Sequence, residues 1–308
     1  MGKTLMLLRW FKQHGRHDLP WRQTDNPYHI YVSEIMLQQT QVERVLQKYE
    51  PFLQKFPTLQ SLRMASDEEL LAQWSGLGYY RRALAMKKVA ELVDTLPKNI
   101  QELQKLPGIG KYTAHAIASF AFNQSVPVVD VNIERVLRRF FALTGSQKEI
   151  WQKASEFLDK TSPKEHNLAL MDLGSLVCVQ NPKCENCPLQ KSCKGQNEPQ
   201  TYWSKGKREH ERLDLHYALF IKDKKIALTY SKGSMYKGML LLPEAKKKEK
   251  LLGTFKHNYT KYAITVYCYA EEVEGDFIWM DLAKARNAHL PTLVKKALKF
   301  YDDFSKFF

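Results

Sequence analysis

Four cysteines lie within sixteen residues of this 308-residue chain, at Cys178, Cys184, Cys187 and Cys193. Their spacing, C-x5-C-x2-C-x5-C, allows four thiolates from one loop to surround a single metal centre. Zinc sites commonly pair two C-x2-C units, and only one such unit occurs here. The spacing therefore favours a [4Fe–4S] cluster, with zinc as the less favoured occupant. Residues 178–193 must fold as a loop that closes on itself.

The composition favours a folded protein with a polyanionic partner. Lysine and arginine number 47 against 33 aspartates and glutamates, which gives a formal charge of +14 at pH 7. Such a surplus is typical of proteins that bind nucleic acid or an acidic membrane surface. No apolar run reaches the length of a membrane span, and residues 1–13 have the pattern of an amphipathic helix rather than a signal peptide. We therefore expect a cytoplasmic protein, in whose reducing environment clustered cysteines bind metal.

The pattern of polar and apolar residues predicts a mainly helical N-terminal domain followed by a small α+β domain. Residues 1–195 show helical spacing of apolar residues and repeated helix-start signals, such as Ser66 followed by Glu69. Residues 196–213 are polar and lack periodicity, so we interpret them as a linker to a domain at 214–308. The predicted strands of that domain are 217–221, 226–230 and 263–269, and its predicted closing helix is 290–308.

Residues 106–114 read L-P-G-I-G-K-Y-T-A and lie between two helical stretches. Gly108 and Gly110 have no Cβ, so a phosphate can approach the backbone, and the amides that begin the next helix, from Lys111 onward, point at it. This hairpin is predicted to hold the DNA backbone without reading sequence. It is not a nucleotide-binding P-loop, because Lys105 stands where the first glycine of that motif would be.

The hairpin, the sequence Val128-Val129-Asp130 and the cysteine loop, in this order and spacing, resemble the helix-hairpin-helix DNA glycosylases of base excision repair. The chain is similar in particular to the A/G-specific adenine glycosylases (MutY family). The similarity covers nearly all of residues 10–195 and is weaker beyond 210. It implies a helix-hairpin-helix glycosylase domain at 1–195 and, faintly, a Nudix-like domain at 214–308. The stretches that carry the closer similarity are 19–22 (LPWR), 33–42 (SEIMLQQTQV), 76–80 (GLGYY) and 171–174 (MDLG).

The resemblance implies that Glu34 is the catalytic acid. Adenine leaves deoxyribose poorly unless one of its ring nitrogens is protonated. A carboxylic acid at the start of a helix, beside Ile35 and Met36, could have its pKa raised by desolvation and deliver that proton. Without the motif, a solvated glutamate at a helix start would be the ordinary interpretation.

The resemblance assigns to Asp130 the stabilisation of the positive charge that develops on the sugar. It places Asn132 near the catalytic groups. Asp130 also precedes a helical stretch, so it is expected to cap that helix, and the two roles are compatible. Val131 stands where the family usually has glycine.

Tyr112 occupies a position that separates two chemistries. Related bifunctional glycosylases have lysine there, whose amine forms a Schiff base and cleaves the strand. A phenol cannot form this adduct, so hydrolysis without strand cleavage is expected. Lys111 is adjacent, but one helical residue turns a side chain by about 100°. The alternative role for Tyr112 is packing.

The target base must leave the duplex before it reacts. The resemblance assigns the wedge that fills the gap to Gln39, with Gln38, and to Tyr79. It places Trp21 and Arg22 near the adenine pocket, although Trp21 could equally be a core residue. Two adjacent glutamines on a helix would otherwise be read as surface residues.

In the C-terminal domain, residues 255–261 (FKHNYTK) correspond to the family loop that senses 8-oxoguanine. The resemblance makes Tyr259 and Thr260 DNA contacts, while Lys261 replaces the usual histidine. The acid-rich metal-binding helix of true Nudix hydrolases is absent. The first cysteine gap is five residues where the family usually has six, so the loop must close more tightly.

The leading hypothesis is a monomeric, monofunctional adenine glycosylase, a hydrolase acting on double-stranded DNA with adenine opposite 8-oxoguanine or guanine. A thymine mismatch glycosylase would share the hairpin tyrosine, but the C-terminal domain and the Gln38-Gln39 pair disfavour it. A catalytically silent Fe–S DNA-binding protein is disfavoured by the presence of both Glu34 and Asp130. A Nudix phosphohydrolase lacks its acids.

Overall fold

The computed structural model describes residues 2–203, 210–233, 235–236, 238–259, 261–288 and 290–304. The chain divides into two compact units, residues 1–205 and 206–308. Regular structure reaches into the segment interpreted as a linker, since Pro199–Tyr202 is helical and a strand begins at Glu211. Within the described ranges, no helix is both long enough and apolar enough to cross a membrane.

The N-terminal unit is helical, as its apolar spacing predicts. Ser66 and Glu69 form the reciprocal capping box expected from their spacing, and the side chain of Asn99 likewise accepts hydrogen bonds from the first backbone amides of its helix. The helices are α1 (Lys3–His14), α2 (Pro27–Leu37), α3 (Val42–Lys55), α4 (Leu59–Met64), α5 (Asp67–Gln73), α6 (Arg81–Leu92), α7 (Ile100–Lys105), α8 (Lys111–Phe120), α9 (Val131–Phe141), α10 (Gln147–Phe157), α11 (Pro163–Leu176) and α12 (Pro199–Tyr202).

Two hydrophobic cores meet along helices α2 and α8. In α2, Ile35 and Met36 belong to the core shared with α3–α7, whereas Ile30 belongs to the core around α9–α11. In α8, Ile117 and Phe120 divide between the same two cores. Because both helices are packed on two sides, the side chains that they present between the cores are held firmly.

The predicted hairpin is confirmed as α7, a turn and α8. Gly108 lies in the turn with φ +77°, a left-handed conformation that favours glycine, and a Cβ there would come within 3.1 Å of the Ala85 Cβ. Gly110 is the N-cap of α8, so the first amides of α8 face the solvent side of the turn.

The C-terminal unit has two small sheets covered by helices. In one, the strand Tyr262–Tyr269 pairs in parallel with Glu211–Ala218 and antiparallel with Leu251–Tyr259. In the other, the strand Lys225–Tyr230 pairs with Ile221–Lys222, Leu240–Leu241 and Ile278–Asp281. Cys268 is fully buried in this unit's core. The elements are β1 (Glu211–Ala218), β2 (Ile221–Lys222), β3 (Lys225–Tyr230), β4 (Leu240–Leu241), β5 (Leu251–Tyr259), β6 (Tyr262–Tyr269), β7 (Ile278–Asp281), α13 (Leu282–Asn287) and α14 (Thr292–Phe304).

The strand predicted at 217–221 was wrong as a single element. β1 ends at Ala218, and the chain passes from the sheet of β6 to the sheet of β3 at residues 219–220. The two-residue β2 then forms a tight hairpin with β3. Asp223 and Lys224 form the two-residue turn between β2 and β3. Both have positive φ, as is typical of the commonest two-residue hairpin turns. The strands at 226–230 and 263–269 and the closing helix are confirmed within the described residues.

Candidate functional site

One cavity of about 810 Å³ brings together four side chains that are far apart in the sequence. Glu34 of α2, Tyr112 of α8, and Asp130 and Asn132 at the start of α9 all line it. Helices α2 and α8, which enter both cores, thus line the cavity together with the N-terminus of α9.

Glu34 is buried, with 5% of its surface exposed. It lies in the second half of α2, not at a helix start as the sequence suggested. The helix begins earlier, because Asn26 caps the amides of Tyr28 and His29 and Pro27 occupies the first helical position. Glu34 is therefore not at the positive N-terminal end of its own helix, which would lower its pKa.

The Glu34 carboxyl is poorly satisfied for a buried acid. Its Oε2 atom has no hydrogen-bond partner. Burial raises the pKa of Glu34 to about 7, while hydrogen bonding by Tyr112 acts against the rise, the nearby Asp130 adds to it and the charge of Arg22 opposes it. A carboxylic acid that is still partly protonated near neutral pH and belongs to a residue lining a cavity can donate a proton to a bound molecule.

Asp130 is held in place on both of its oxygens. As the N-cap of α9 it accepts a hydrogen bond from the Ile133 amide at 2.7 Å, and its other oxygen accepts one from Asn132 Nδ2 at 2.8 Å. Burial raises its pKa, but these hydrogen bonds and the charge of Arg135 oppose the rise. Environments that differ in this way suit two carboxyl groups for different roles, one as acid and one as anion.

The position of Asp130 is connected to the cysteine loop through Arg135. This arginine donates to Asn132 Oδ1 at 2.9 Å and to the Cys178 carbonyl at 2.6 Å. Val131, the departure from the family pattern, is the first residue of α9 and 58% exposed. Since the backbone there is helical, valine is accommodated without left-handed strain.

Tyr112 and Lys111 point in different directions, as their helical spacing predicts. Tyr112 lines the cavity, and burial beside Glu34 and Asp130 raises its pKa well above that of a free phenol. The Lys111 ammonium lies 3.9 Å from the centre of the Trp151 ring, and Lys111 does not line the cavity.

Trp21 and Arg22 both line the same cavity. Trp21 is also a core residue, since it is 8% exposed and packs edge-on against Tyr49. Arg22 forms a bidentate pair with Asp172, at 2.6 and 2.8 Å. Burial alone would raise the pKa of Asp172, but Arg22 and Arg16 overcome it and leave that pKa below the usual value. The geometry therefore fixes a cation at the cavity wall.

Gln38, Gln39 and Tyr79 lie beside a second cavity of about 310 Å³, which also includes Gly108 of the hairpin. Gln38 is the C-cap of α2, and its side-chain amide donates a hydrogen bond to Thr113 Oγ1 at 3.4 Å. Gln39 and Tyr79 are exposed and have left-handed backbones, with φ +55° and +47°. The structure thus brings the three proposed wedge residues to one surface with the hairpin.

The four cysteines of the 178–193 loop line one small cavity beside Arg139. Arg139 is 2% exposed, donates to the carbonyls of Val179 and Gln180, and lies 3.6 Å from the Cys178 sulfur. In the described residues, no three His, Cys, Asp or Glu side chains are gathered tightly enough to hold one ion. Four soft thiols around one cavity nevertheless fit a cluster, whose irons each take a separate thiolate.

In the C-terminal unit, Tyr259 ends β5 and packs against Tyr236 with ring centres 4.4 Å apart and ring planes tilted by 45°. Tyr236 also bonds His257 at 2.6 Å. Thr260 lies outside the described residues. Lys261, at the position of the usual histidine, forms a 2.7 Å ion pair with Glu211.

The sequence interpretation overlooked several residues. Arg82 contacts the turns that carry Gln39 and Tyr79, Arg135 holds Asn132, and Arg16 completes the Asp172 cluster. Only Asp172 carried a signal, as part of the M-D-L-G stretch. The arginines were hidden because a basic chain has many.

Comparison with known proteins agrees with this geometry. Residues 32–160 match the HhH-GPD superfamily of base excision DNA repair proteins. The chain is 41% identical over 198 residues to the adenine DNA glycosylase of Buchnera aphidicola subsp. Baizongia pistaciae and 43% identical over 209 residues to the human one. Each alignment covers 61% of this chain, and 56% and 38% of those two proteins.

Among solved structures, a thermostable thymine-DNA glycosylase matches with a TM-score of 0.60 and 29% identity, covering 63% of this chain and 95% of that one. The family match at residues 32–160 lies within the helical unit that contains the Glu34 cavity. Over residues 32–160 the chain is therefore similar to the HhH-GPD superfamily of base excision DNA repair proteins, and over 61% of its length it is similar to adenine DNA glycosylases, of which it spans about half or less.

Proposed function

We propose that this protein hydrolyses the N-glycosidic bond of adenine mispaired with 8-oxoguanine or guanine in double-stranded DNA, as a monomer. The observation that carries the proposal is the pairing of two unlike carboxyl groups across one cavity. Glu34 is buried with an unpartnered oxygen, and Asp130 is fixed by hydrogen bonds on both oxygens. Curated relatives named adenine DNA glycosylase support the choice of base.

In the first step, Glu34 donates its proton to a ring nitrogen of the extruded adenine. Protonation turns the base into a good leaving group, so the bond between C1′ and the base breaks and its electron pair departs with adenine. Arg22 lines the same cavity, and its positive charge favours the Glu34 carboxylate that remains after the proton has been transferred.

In the second step, the deoxyribose bears a positive charge at C1′. The Asp130 carboxylate stabilises this oxocarbenium-like species electrostatically, and Asn132 keeps the carboxylate in position. Water adds to C1′ and its proton passes to Glu34, which leaves an abasic sugar, free adenine and a restored acid.

The reaction ends at the abasic site. A strand break through a Schiff base needs a lysine amine at the sugar. Tyr112 occupies the cavity instead, while Lys111 rests on Trp151. The enzyme is therefore monofunctional.

DNA is held by the hairpin backbone at Gly108 and Gly110, with Lys111 beside it, and by the overall positive charge. Gln39, Gln38 and Tyr79 fill the space that the extruded adenine leaves. In the C-terminal unit, which we propose to be Nudix-like, Tyr259 and Thr260 contact the oxidised base opposite.

Cys178, Cys184, Cys187 and Cys193 would hold a [4Fe–4S] cluster. The loop contains only one C-x2-C unit, whereas zinc sites commonly pair two such units, so the spacing favours the cluster over a tetrahedral zinc. When bound, the cluster would tie the loop into one rigid unit, and Arg139 would help to hold that loop.

The purified protein is therefore expected to be brown and to contain about four iron and four sulfide per chain. Elemental analysis and the visible absorption spectrum check this. A Cys184→Ser variant should bind less iron, whereas Cys268→Ser, in the core of the other unit, should keep it. A colourless protein holding one zinc would contradict the assignment.

Substrate choice is tested with duplexes that differ only in one mispair. We expect adenine to be released opposite 8-oxoguanine and guanine, with strand breaks only after hot alkali. Release of thymine from G:T but no adenine would favour the second candidate, a thymine glycosylase, to which the solved-structure match gives specific support. Strand breaks without alkali would contradict monofunctional action.

Activity should fall as pH rises through the pKa of Glu34. Because that pKa is about 7 in the free protein, the acid form is lost above it, and the single-turnover rate should drop about tenfold per pH unit beyond that point. Below neutrality the rate should hold until Asp130 is protonated, at a pH above the usual aspartate range. Duplex binding, measured in parallel, separates this effect from loss of affinity. A flat rate between pH 6 and 9 would rule out Glu34 as the acid.

A further inference from the structure

Arg82 is a buried arginine that the proposed chemistry does not use. It lies in the first turn of α6 and is 8% exposed. Its Nη1 donates to the carbonyls of Ile35, Met36 and Gln38 at 2.7, 3.1 and 2.7 Å. Its other terminal nitrogen, Nη2, contacts this segment at Thr40 and also reaches a second segment at residues 77–78.

Nη2 donates to the carbonyls of Leu77 and Gly78 at 3.0 and 3.1 Å, and to Thr40 Oγ1 at 3.1 Å. The guanidinium therefore connects two turns. We call these the Gln39 turn, residues 38–40, and the Tyr79 turn, residues 77–79. Its contacts flank Gln39 on both sides and immediately precede Tyr79.

Both turns hold a residue in an unfavourable backbone conformation. Gln39 has φ +55° and Tyr79 has φ +47°, which lie in the left-handed region that is unfavourable for residues other than glycine. Such conformations persist only where the surroundings enforce them. Arg82 supplies hydrogen bonds at both places, and its cation also lies 5.5 Å from the Tyr79 ring centre and 5.3 Å from that of Trp74.

We propose that Arg82 is a positioning residue. It holds the Gln39 and Tyr79 turns in place, so that the two side chains together fill the gap in DNA from which a base has been extruded. The inference rests on the proposed function for what the wedge does, but not for how it is held. Arg82, Gln39, Tyr79 and Gly108 line the same 310 Å³ cavity, so a shift of either turn also changes the surface next to the hairpin.

Lysine is an informative replacement because it keeps the charge but not the planar fork. A lysine ammonium has three donors on one atom and cannot span the two turns as Nη1 and Nη2 do. Arg63→Lys is a matched control. Arg63 also donates to backbone carbonyls, those of Ala90 and Val93 at the other end of α6, but contacts neither turn.

The first experiment uses the free protein and hydrogen exchange. In Arg82→Lys, amides of residues 37–41 and 76–80 should exchange at least about tenfold faster, with Arg63→Lys unchanged in both. Thr40→Val removes one hydrogen-bond acceptor of Arg82 and keeps Arg82 itself, so it should accelerate amide exchange only in residues 37–41. This variant keeps the proposal testable if Arg82→Lys folds poorly. Unchanged exchange in both turns would overturn the proposal.

The second experiment measures binding to a duplex with an uncleavable adenine analogue opposite 8-oxoguanine. Arg82→Lys should weaken binding about tenfold, but less than about twofold further in a Gln39→Ala/Tyr79→Ala background, because residues acting through one another are not additive. Full additivity would refute action through the wedge. If the wild type releases no adenine, the proposed function fails, and hydrogen exchange alone decides the role of Arg82.

Discussion

Glu34→Gln is expected to lower the single-turnover rate of adenine release by at least about 1,000-fold. Glutamine keeps the shape of the side chain but cannot donate an acidic proton. Among the described residues that line the cavity, the other acid is Asp130, whose two oxygens already accept hydrogen bonds from Asn132 and Ile133. Affinity for the mispaired duplex should stay within about threefold of the wild type, as expected for an interaction needed mainly in the transition state.

Glu43→Gln is the matched control, since it makes the same change at an exposed position early in α3. It should leave the rate unchanged.

The Glu34→Gln protein should also unfold at a higher temperature than the wild type at pH 8. The folded pKa of Glu34 is raised, so its favourable contribution is complete below the unfolded pKa near 4.5 and is lost as pH rises through about 7. A rate near that of the wild type would refute Glu34 as the acid.

Asp130→Asn is expected to reduce the rate by about 100- to 1,000-fold, because the amide removes the negative charge opposite the developing sugar cation. Asparagine is also a good helix cap, so α9 should still form. Single-turnover kinetics at pH 7 give the rate, and thermal unfolding shows whether the fold is kept.

Two further variants separate charge from position. Asp159→Asn removes a carboxylate that accepts backbone hydrogen bonds from Thr161 and Ser162 but does not line the cavity, and it should have no effect on the rate. Asn132→Ala keeps the charge of Asp130 but removes the hydrogen bond at 2.8 Å, so a loss of only about tenfold is expected. An Asp130→Asn enzyme as active as the wild type would remove this carboxylate from the mechanism.

Much of the helical unit could be predicted because its signals are local. The capping box at Ser66, the glycine turn of the hairpin and the change from helical to alternating periodicity after residue 213 involve residues within a few positions of one another. Spacing also separated Tyr112 from Lys111, which the structure directs to the cavity and to Trp151.

Other interpretations failed where two local signals competed. Glu34 was expected at a helix start because of the apolar run after it, yet Asn26 and Pro27 begin the helix earlier. The apolar run at 217–221 was expected to be one strand, yet Leu219 still bonds to the sheet of β6 whereas Phe220 bonds to the sheet of β3. In both cases the local pattern identified the element but not its boundary.

The sequence by itself determined which groups are available: two carboxyl groups, a tyrosine in place of lysine, a glycine hairpin and four closely spaced thiols. Only the tertiary structure decided what those groups can do. The raised pKa of Glu34, the double hydrogen bonding of Asp130 and the two-turn contacts of Arg82 all depend on helices from distant parts of the chain. Desolvation and hydrogen-bond geometry arise from what packs around a group in space, and that packing is not encoded in the spacing of its neighbours.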